Sequence, residues 1–235
     1  MGKILLFKIR PDFEGIFLKR LNKFLCEVLI NEEKVFAHVH DPGRLNELLF
    51  YGNKVLLKSE NNPKRKTKFD LICAYKNNHW VLVHSGYHRK IAEKIIETGI
   101  IEELKNFKRI ISEKKYKNCR IDFLLKNEKQ SLWLEVKGCT LTIDGKALFP
   151  DAPTKRGTKH LNTLIEICEN GDNAGILILI FRKDSKCFSP NYYTDPEFAE
   201  KFNILEKKGV KIFPVLLGFE DNSIYFYKRL PLCKK

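Results

Sequence analysis

Three side chains near the middle of the sequence are of the kinds that hold a divalent cation against a phosphate: Asp122, Glu135 and Lys137. Asp122 lies in Arg120-Ile121-Asp122-Phe123-Leu124-Leu125. Glu135 and Lys137 lie in Leu132-Trp133-Leu134-Glu135-Val136-Lys137. Both segments alternate with the period of strands, so Glu135 and Lys137 point the same way. The polar break Lys126 to Ser131 is short enough for a hairpin. Centred between Glu128 and Lys129, it pairs Ile121 with Val136, Phe123 with Leu134 and Leu125 with Leu132 on one core face. The same register sets Asp122 directly opposite Glu135. Like charges opposed across a strand pair are destabilising and raise each other's pKa. A hard cation such as Mg2+ or Mn2+ relieves this, because it takes carboxylate oxygens together with water and phosphate. Lys137 would then orient or deprotonate the attacking water, and the chemistry is metal-assisted phosphodiester hydrolysis. The plainer alternative is a solvated face on which Arg120 and Lys137 are ordinary salt-bridge partners.

Other side chains could reach that face. Glu93, on the polar side of a helix over His88–Thr98, is a candidate further metal ligand or a solvated glutamate beside Lys90 and Lys94. Arg156, Lys159 and His160 fall at the start of a second helix, where free N–H groups and cations together grip phosphate. Cations there oppose the helix dipole, a mild sign of function. The loop Asn61-Asn62-Pro63-Lys64-Arg65-Lys66 offers Lys64, Arg65 and Lys66 either to phosphate or to solvent. His38 and His40 share a strand face, yet no cysteine or carboxylate nearby in sequence completes a metal set, so no zinc site is expected. Seven scattered cysteines without a C-x-x-C pair suggest free thiols.

The elements that must position these residues divide in two. Residues 3–84 read as nearly all β, with strands at 3–10, 15–21, 24–30, 35–40, 53–59, 68–75 and 79–84 and a short helix at 45–50. So many short strands suggest a small closed barrel of the OB type. From residue 85 the pattern is mixed: the 88–98 helix, strands at 109–116, 120–126 and 131–137, a helix at 158–169 and a buried strand at 174–181. A helix from Asp195-Pro196 to about 208 and strands at 210–217 and 223–228 complete it. The expected fold is therefore α/β (α+β), a barrel domain at 1–84 followed by a mixed-sheet domain at 85–235.

The chain is 43% hydrophobic and 31% charged, a globular balance, with a net charge of +14. The excess is spread, with 15 basic against 9 acidic side chains in residues 1–84 and 28 against 20 in the rest. That predicts a polyanionic partner, nucleic acid first. No apolar run approaches the roughly 20 residues of a membrane span. Met1-Gly2-Lys3-Ile4 leads straight into a strand pattern without a signal peptide, so a cytoplasmic place is expected. The oligomeric state stays open, a homodimer included.

The Asp, Glu-x-Lys arrangement resembles the PD-(D/E)XK nuclease superfamily. More of the chain resembles the sugar fermentation stimulation protein family. The motifs are Ala37-His38-Val39-His40-Asp41-Pro42-Gly43-Arg44-Leu45, Asn62-Pro63-Lys64-Arg65-Lys66, Cys119–Leu124, Glu135-Val136-Lys137, Leu148–Ala152 and Arg156–Leu161, in order over almost the whole length. That resemblance implies DNA binding, an OB-like domain followed by a PD-(D/E)XK nuclease-like domain, and metal-site roles for Asp122, Glu135 and Lys137, with a helix glutamate at Glu93. The motif residue Arg44 joins Lys64, Arg65, Lys66, Arg156, Lys159 and His160 as DNA contacts. The chain departs from the family pattern at Lys155, where Glu is common, and at Gly138-Cys139 and Asp41-Pro42. Three functions follow: a Mg2+- or Mn2+-dependent deoxyribonuclease with Asp122, Glu135 and the Val136 carbonyl on the metal, a non-catalytic DNA-binding regulator of sugar-metabolism genes, or an RNA-binding factor. Fold alone does not choose among them.

Overall fold

The computed structural model describes residues 2–234. The first half contains β1 (Ile4–Lys8), β2 (Phe13–Asn22), β3 (Leu25–Ile30), β4 (Glu33–His38), β5 (Lys54–Ser59), β6 (Phe69–Lys76) and β7 (His79–Leu82). Five of them close a barrel. The order β4-β3-β2-β5-β6 is antiparallel, and β4 then pairs in parallel with β6, placing His38 against Asp70. Closure removes the open strand edges, and inward residues such as Val28, Val55 and Leu71 are fully buried. The helix expected at 45–50 is only a turn. Leu45 sits at φ 53, outside the right-handed helical region, and Leu48 and Leu49 both donate to its carbonyl.

The second half contains α1 (His88–Thr98), β8 (Arg109–Tyr116), β9 (Cys119–Lys126), β10 (Ser131–Cys139), β11 (Leu141–Ile143) and β12 (Lys146–Phe149). It continues with α2 (Lys155–Glu169), β13 (Asn173–Ile180), β14 (Cys187–Pro190), α3 (Pro196–Lys207), β15 (Lys211–Glu220) and β16 (Ser223–Arg229). The main sheet runs β8-β9-β10-β13-β15, with β13 parallel to both neighbours. A strand buried on both faces must be apolar throughout, which is why 174–180 reads Ala-Gly-Ile-Leu-Ile-Leu-Ile. α1 covers one face through Ile91, Ala92, Ile95 and Ile96 and stops at Gly99, φ 64. α2 and α3 cover the other, around Leu161, Leu164, Phe198 and Phe202. The hairpin of β11 and β12, turning at Asp144-Gly145, forms a small sheet with β14 that the sequence reading lacked.

Two strands tie the halves together. β1 pairs with β16, and β7 reaches β15 with Trp80 opposite Phe219. One core then runs from Leu6, Val28 and Leu71 through Ile95 to Phe123, Leu134 and Phe226. Residue 84, the expected boundary, lies between β7 and the turn into α1. No helix among the described residues is long and apolar enough to cross a membrane.

The β9–β10 hairpin has the expected register, with Leu132 opposite Leu125, Trp133 opposite Leu124 and Leu134 opposite Phe123. Beyond Phe123 the ladder ends. Asp122 Oδ2 takes the Val136 N–H at 2.7 Å in place of a strand carbonyl, so the two carboxylates do not face each other as a ladder pair. On the other side of β9, Ser112 pairs with Phe123 and Lys114 with Ile121, while Glu113, at φ 51, is left out opposite Asp122. Ile121 packs in the second core with Leu124 and Trp133. The expected six-residue face therefore lacks Ile121, and Leu124 and Trp133 are core, not a solvated face. The cysteines also correct an expectation. Cys187 and Cys233 form a disulfide, because the chain end runs beside β14 through Phe188 and Leu232, leaving five thiols free.

Candidate functional site

α2 begins at Lys155 because Thr154 caps it, accepting the Gly157 N–H at 3.0 Å. That fixes the turn on which His160 faces inward, over β10. Glu135, 1% exposed, meets it there. Its Oε1 accepts from both His160 Nδ1 and Lys137 Nζ, while its Oε2 is buried with no hydrogen-bond partner. Burial pushes the Glu135 carboxyl up, but the Lys137 charge and the His160 bond outweigh it, and the net shift is downward. Asp122 goes the other way: burial and the neighbouring Glu135 charge raise its pKa, against the Val136 N–H and Lys137. The pKa values of two neighbouring carboxyls are thus driven apart, Glu135 downward and Asp122 upward.

Asp122 and Val136 open onto a cleft of about 580 Å3, lined also by Ser85, Gly86, His88, Arg89, Lys90 and Glu93 of the α1 region. Glu93 therefore shares the cleft with Asp122, and its Oε1 accepts from Ser112 Oγ at 3.2 Å. His88 is a cleft residue that the sequence reading missed. Its ring stacks on Phe181 at 5.4 Å and lies on Gly138, where an added Cβ would come within 2.1 Å of His88 Cε1. The departure to glycine at 138 was the signal. Burial, with His84 and Lys137 nearby, lowers the His88 pKa to about 4, and its Nε2 has no partner.

The cationic candidates are split. Arg156 and Lys159 are exposed on the first turns of α2, and Lys159 Nζ donates to the Asn118 carbonyl at 3.1 Å. His160 is buried on Glu135, with Arg156 Nε against its other nitrogen at 3.4 Å. A polar path thus leads from the surface to Glu135. On the barrel, Arg44, Lys64 and Lys66 are exposed, whereas Arg65 is turned onto Asp70, its NH1 3.1 Å from Oδ2. The Arg44 loop is held by Arg20, which donates to the carbonyls of Lys23, Asp41, Gly43 and Arg44. The same loop meets the Phe149–Ala152 motif: Asp151 Oδ2 accepts the Leu45 N–H at 3.2 Å, and a Cβ at Gly43 would lie 2.5 Å from it. Asp41, desolvated there and beside Asp151, is pushed up to about 6 against the opposing Gly43 N–H and Arg20.

The histidines correct a second expectation. A carboxylate does complete a set: Asp70, on the strand paired with β4, brings a ligand atom within 4.8 Å of one from each of His40 and His84. Barrel closure makes that neighbourhood, so sequence spacing could not show it. At the Asp122 site the test for a divalent ion is Glu135 Oε2. A buried carboxylate oxygen without a donor, close to a second carboxyl on an open cleft, has the free electron pairs and the charge that Mg2+ or Mn2+ takes. Asp122 and Glu135 offer two carboxyls of that kind, while the three-ligand group among the described residues is His40, Asp70 and His84.

Residues 18–83 match the SfsA N-terminal OB domain, and residues 86–223 match the sugar fermentation stimulation protein RE domain. Among curated proteins, the sugar fermentation stimulation protein homolog of Thermosipho melanesiensis is 49% identical over 227 residues, covering 97% of each chain. That of Methanococcoides burtonii is 43% identical over 237 residues, 97% of this chain and 95% of the relative. The solved structure of Pyrococcus furiosus SfsA in complex with Ca2+ is similar at TM-score 0.92 and 28% identity, over 98% of this chain and 100% of that one. The chain belongs to the sugar fermentation stimulation protein family.

Proposed function

We propose that this protein binds DNA and hydrolyses its phosphodiester bonds, with Mg2+ or Mn2+ held by Asp122 and Glu135. The supporting observation is Glu135, buried with its pKa held below the ordinary carboxylate value, one oxygen bonded by Lys137 and His160 and the other unpaired. When bound, the ion supplies charge stabilisation at the phosphate and an acidified water. Lys137, whose ammonium donates to Glu135 Oε1, would orient a water or the phosphate from beside Glu135. His160 keeps Glu135 oriented, and Glu93 approaches from the α1 wall of the cleft. Arg156 and Lys159 on α2, with Arg44, Lys64 and Lys66 on the barrel, contact backbone phosphates. Residues 1–84 and 85–235 both grip DNA, and the second half also cuts it, in a cytoplasmic protein. The Ca2+ in the Pyrococcus furiosus structure supports an oxygen-ligand cation site in this family.

A second reading is a non-catalytic DNA-binding regulator. It is favoured by Glu135 being already engaged from within the chain, since its Oε1 accepts from both Lys137 Nζ and His160 Nδ1. Plasmid cleavage with Mg2+ or Mn2+ separates the two, run with wild type and Glu135→Ala beside a binding assay. Cleavage by the wild type alone, with binding kept in both, supports the nuclease; binding without cleavage in either supports the regulator.

A further inference from the structure

Where the barrel meets the α/β half, the structure gathers a second set of ligands. His40 follows β4, Asp70 lies on β6, and His84 follows β7 just before the turn into α1. The parallel pairing that closes the barrel sets His38 against Asp70, and His40, two residues on, stands over the same carboxylate. Arg65 takes Asp70 from one side, NH1 on Oδ2 and NH2 on Oδ1, which leaves each oxygen a further lone pair. His40 Nε2 comes within 3.0 Å of Oδ1 but makes no hydrogen bond to it, and is buried without another partner. His84 Nε2 lies 4.0 Å from Oδ2, beyond hydrogen-bond reach, and its Nδ1 is buried and unpartnered. The two imidazoles stack at 3.6 Å with 23° between their planes, so they address Asp70 side by side. Buried polar atoms ordinarily find partners. Here two imidazoles with buried, unpartnered nitrogens converge on one carboxylate whose oxygens are bonded from the far side by Arg65 alone, and one ligand atom from each of the three residues falls within 4.8 Å of the others.

We propose that His40, Asp70 and His84 form a binding site for one transition-metal ion of the Zn2+ class. Two imidazoles and a carboxylate suit Zn2+, Co2+ or Ni2+. Mg2+ asks instead for an octahedral shell of oxygens. Arg65 argues the same way: it already offsets the Asp70 charge, so an ion held by charge alone gains little, and one that bonds nitrogen gains most. The ion would fasten β4 and β6 to the entry of α1, the helix whose first residues line the Asp122 cleft.

The test is a Co2+ titration of the metal-stripped full-length protein, read by visible absorption. With excess Mg2+ present to fill the Asp122 site, one equivalent should bind with the intense spectrum of low-coordinate, nitrogen-ligated Co2+ and be displaced by Zn2+. His84→Gln and Asp70→Asn should each weaken it about tenfold or more, and Glu135→Gln should leave it unchanged. Should His84→Gln fail to fold, His40→Gln carries the same expectation at a more exposed ring. No saturable Co2+ spectrum in the wild type overturns the site. So does a spectrum untouched by these ligand variants, or one lost in Glu135→Gln, which would put the ion at Asp122.

Discussion

Glu135 keeps its charge in a place where carboxylates are usually neutral. Its folded pKa lies below the ordinary 4.5, so the stability its partners lend is complete at neutral pH and is lost as pH falls through the folded value. Without metal, Glu135→Gln should therefore destabilise the protein by about 1–3 kcal/mol, because Lys137 and His160 lose their common anion. Urea melts at pH 7 check this, and an unchanged midpoint would mean that the two bonds contribute nothing. Two repelling carboxyls without His160 would give the opposite sign. Asp41 provides a complementary case. Raised to about 6 from 3.8, it favours the fold only when protonated, and stability falls as pH rises through that window. Asp41→Asn, which can still accept the Gly43 N–H, should stabilise by about 1–3 kcal/mol above pH 7 and converge with wild type near pH 4. Melting temperature against pH reads the crossing.

At the scale of elements, Gly138 governs how closely α1 approaches β10. A Cβ there would meet the His88 ring at 2.1 Å, and both the ring and the strand are packed. Gly138→Ala should cost about 1–3 kcal/mol, and His88→Ala in the same chain should recover much of that. A double-mutant cycle measured by denaturant unfolding checks it; additive losses would show that the two do not touch. The β9–β10 register was legible in sequence because two alternating segments flank one short polar break. The place of Ile121 was not, because the β9–β10 ladder ends at Phe123, where Asp122 takes the Val136 N–H, a side-chain contact that periodicity does not record. The α2 N-terminus was set three residues late, since Thr154 as cap competes with nothing in the apolar pattern. Asp144-Gly145 is a hairpin signal that the sequence does carry, between strands too short to alternate visibly.

In the whole molecule, the OB-like barrel and the mixed sheet were readable from strand density and the change of period near residue 85. Their joining was not, because β1 with β16 and Cys187 with Cys233 are contacts between distant parts of the chain. The positive charge lies on both halves, so DNA affinity should fall steeply with salt, linearly in log K against log salt. Lys64→Ala and Arg156→Ala should each reduce the slope by about 1; a salt-independent affinity would remove nucleic acid as the partner. The proposed nuclease activity requires Asp122 and Glu135 to share a cation. The direct measurement is the melting temperature of wild type and Glu135→Gln, each in Mg2+ and in EDTA. Binding adds about 2.7 kcal/mol at a hundredfold excess over Kd. The wild type should therefore melt higher in Mg2+ and the variant should not. Equal responses to Mg2+ in the two proteins would contradict the metal site and the nuclease reading with it.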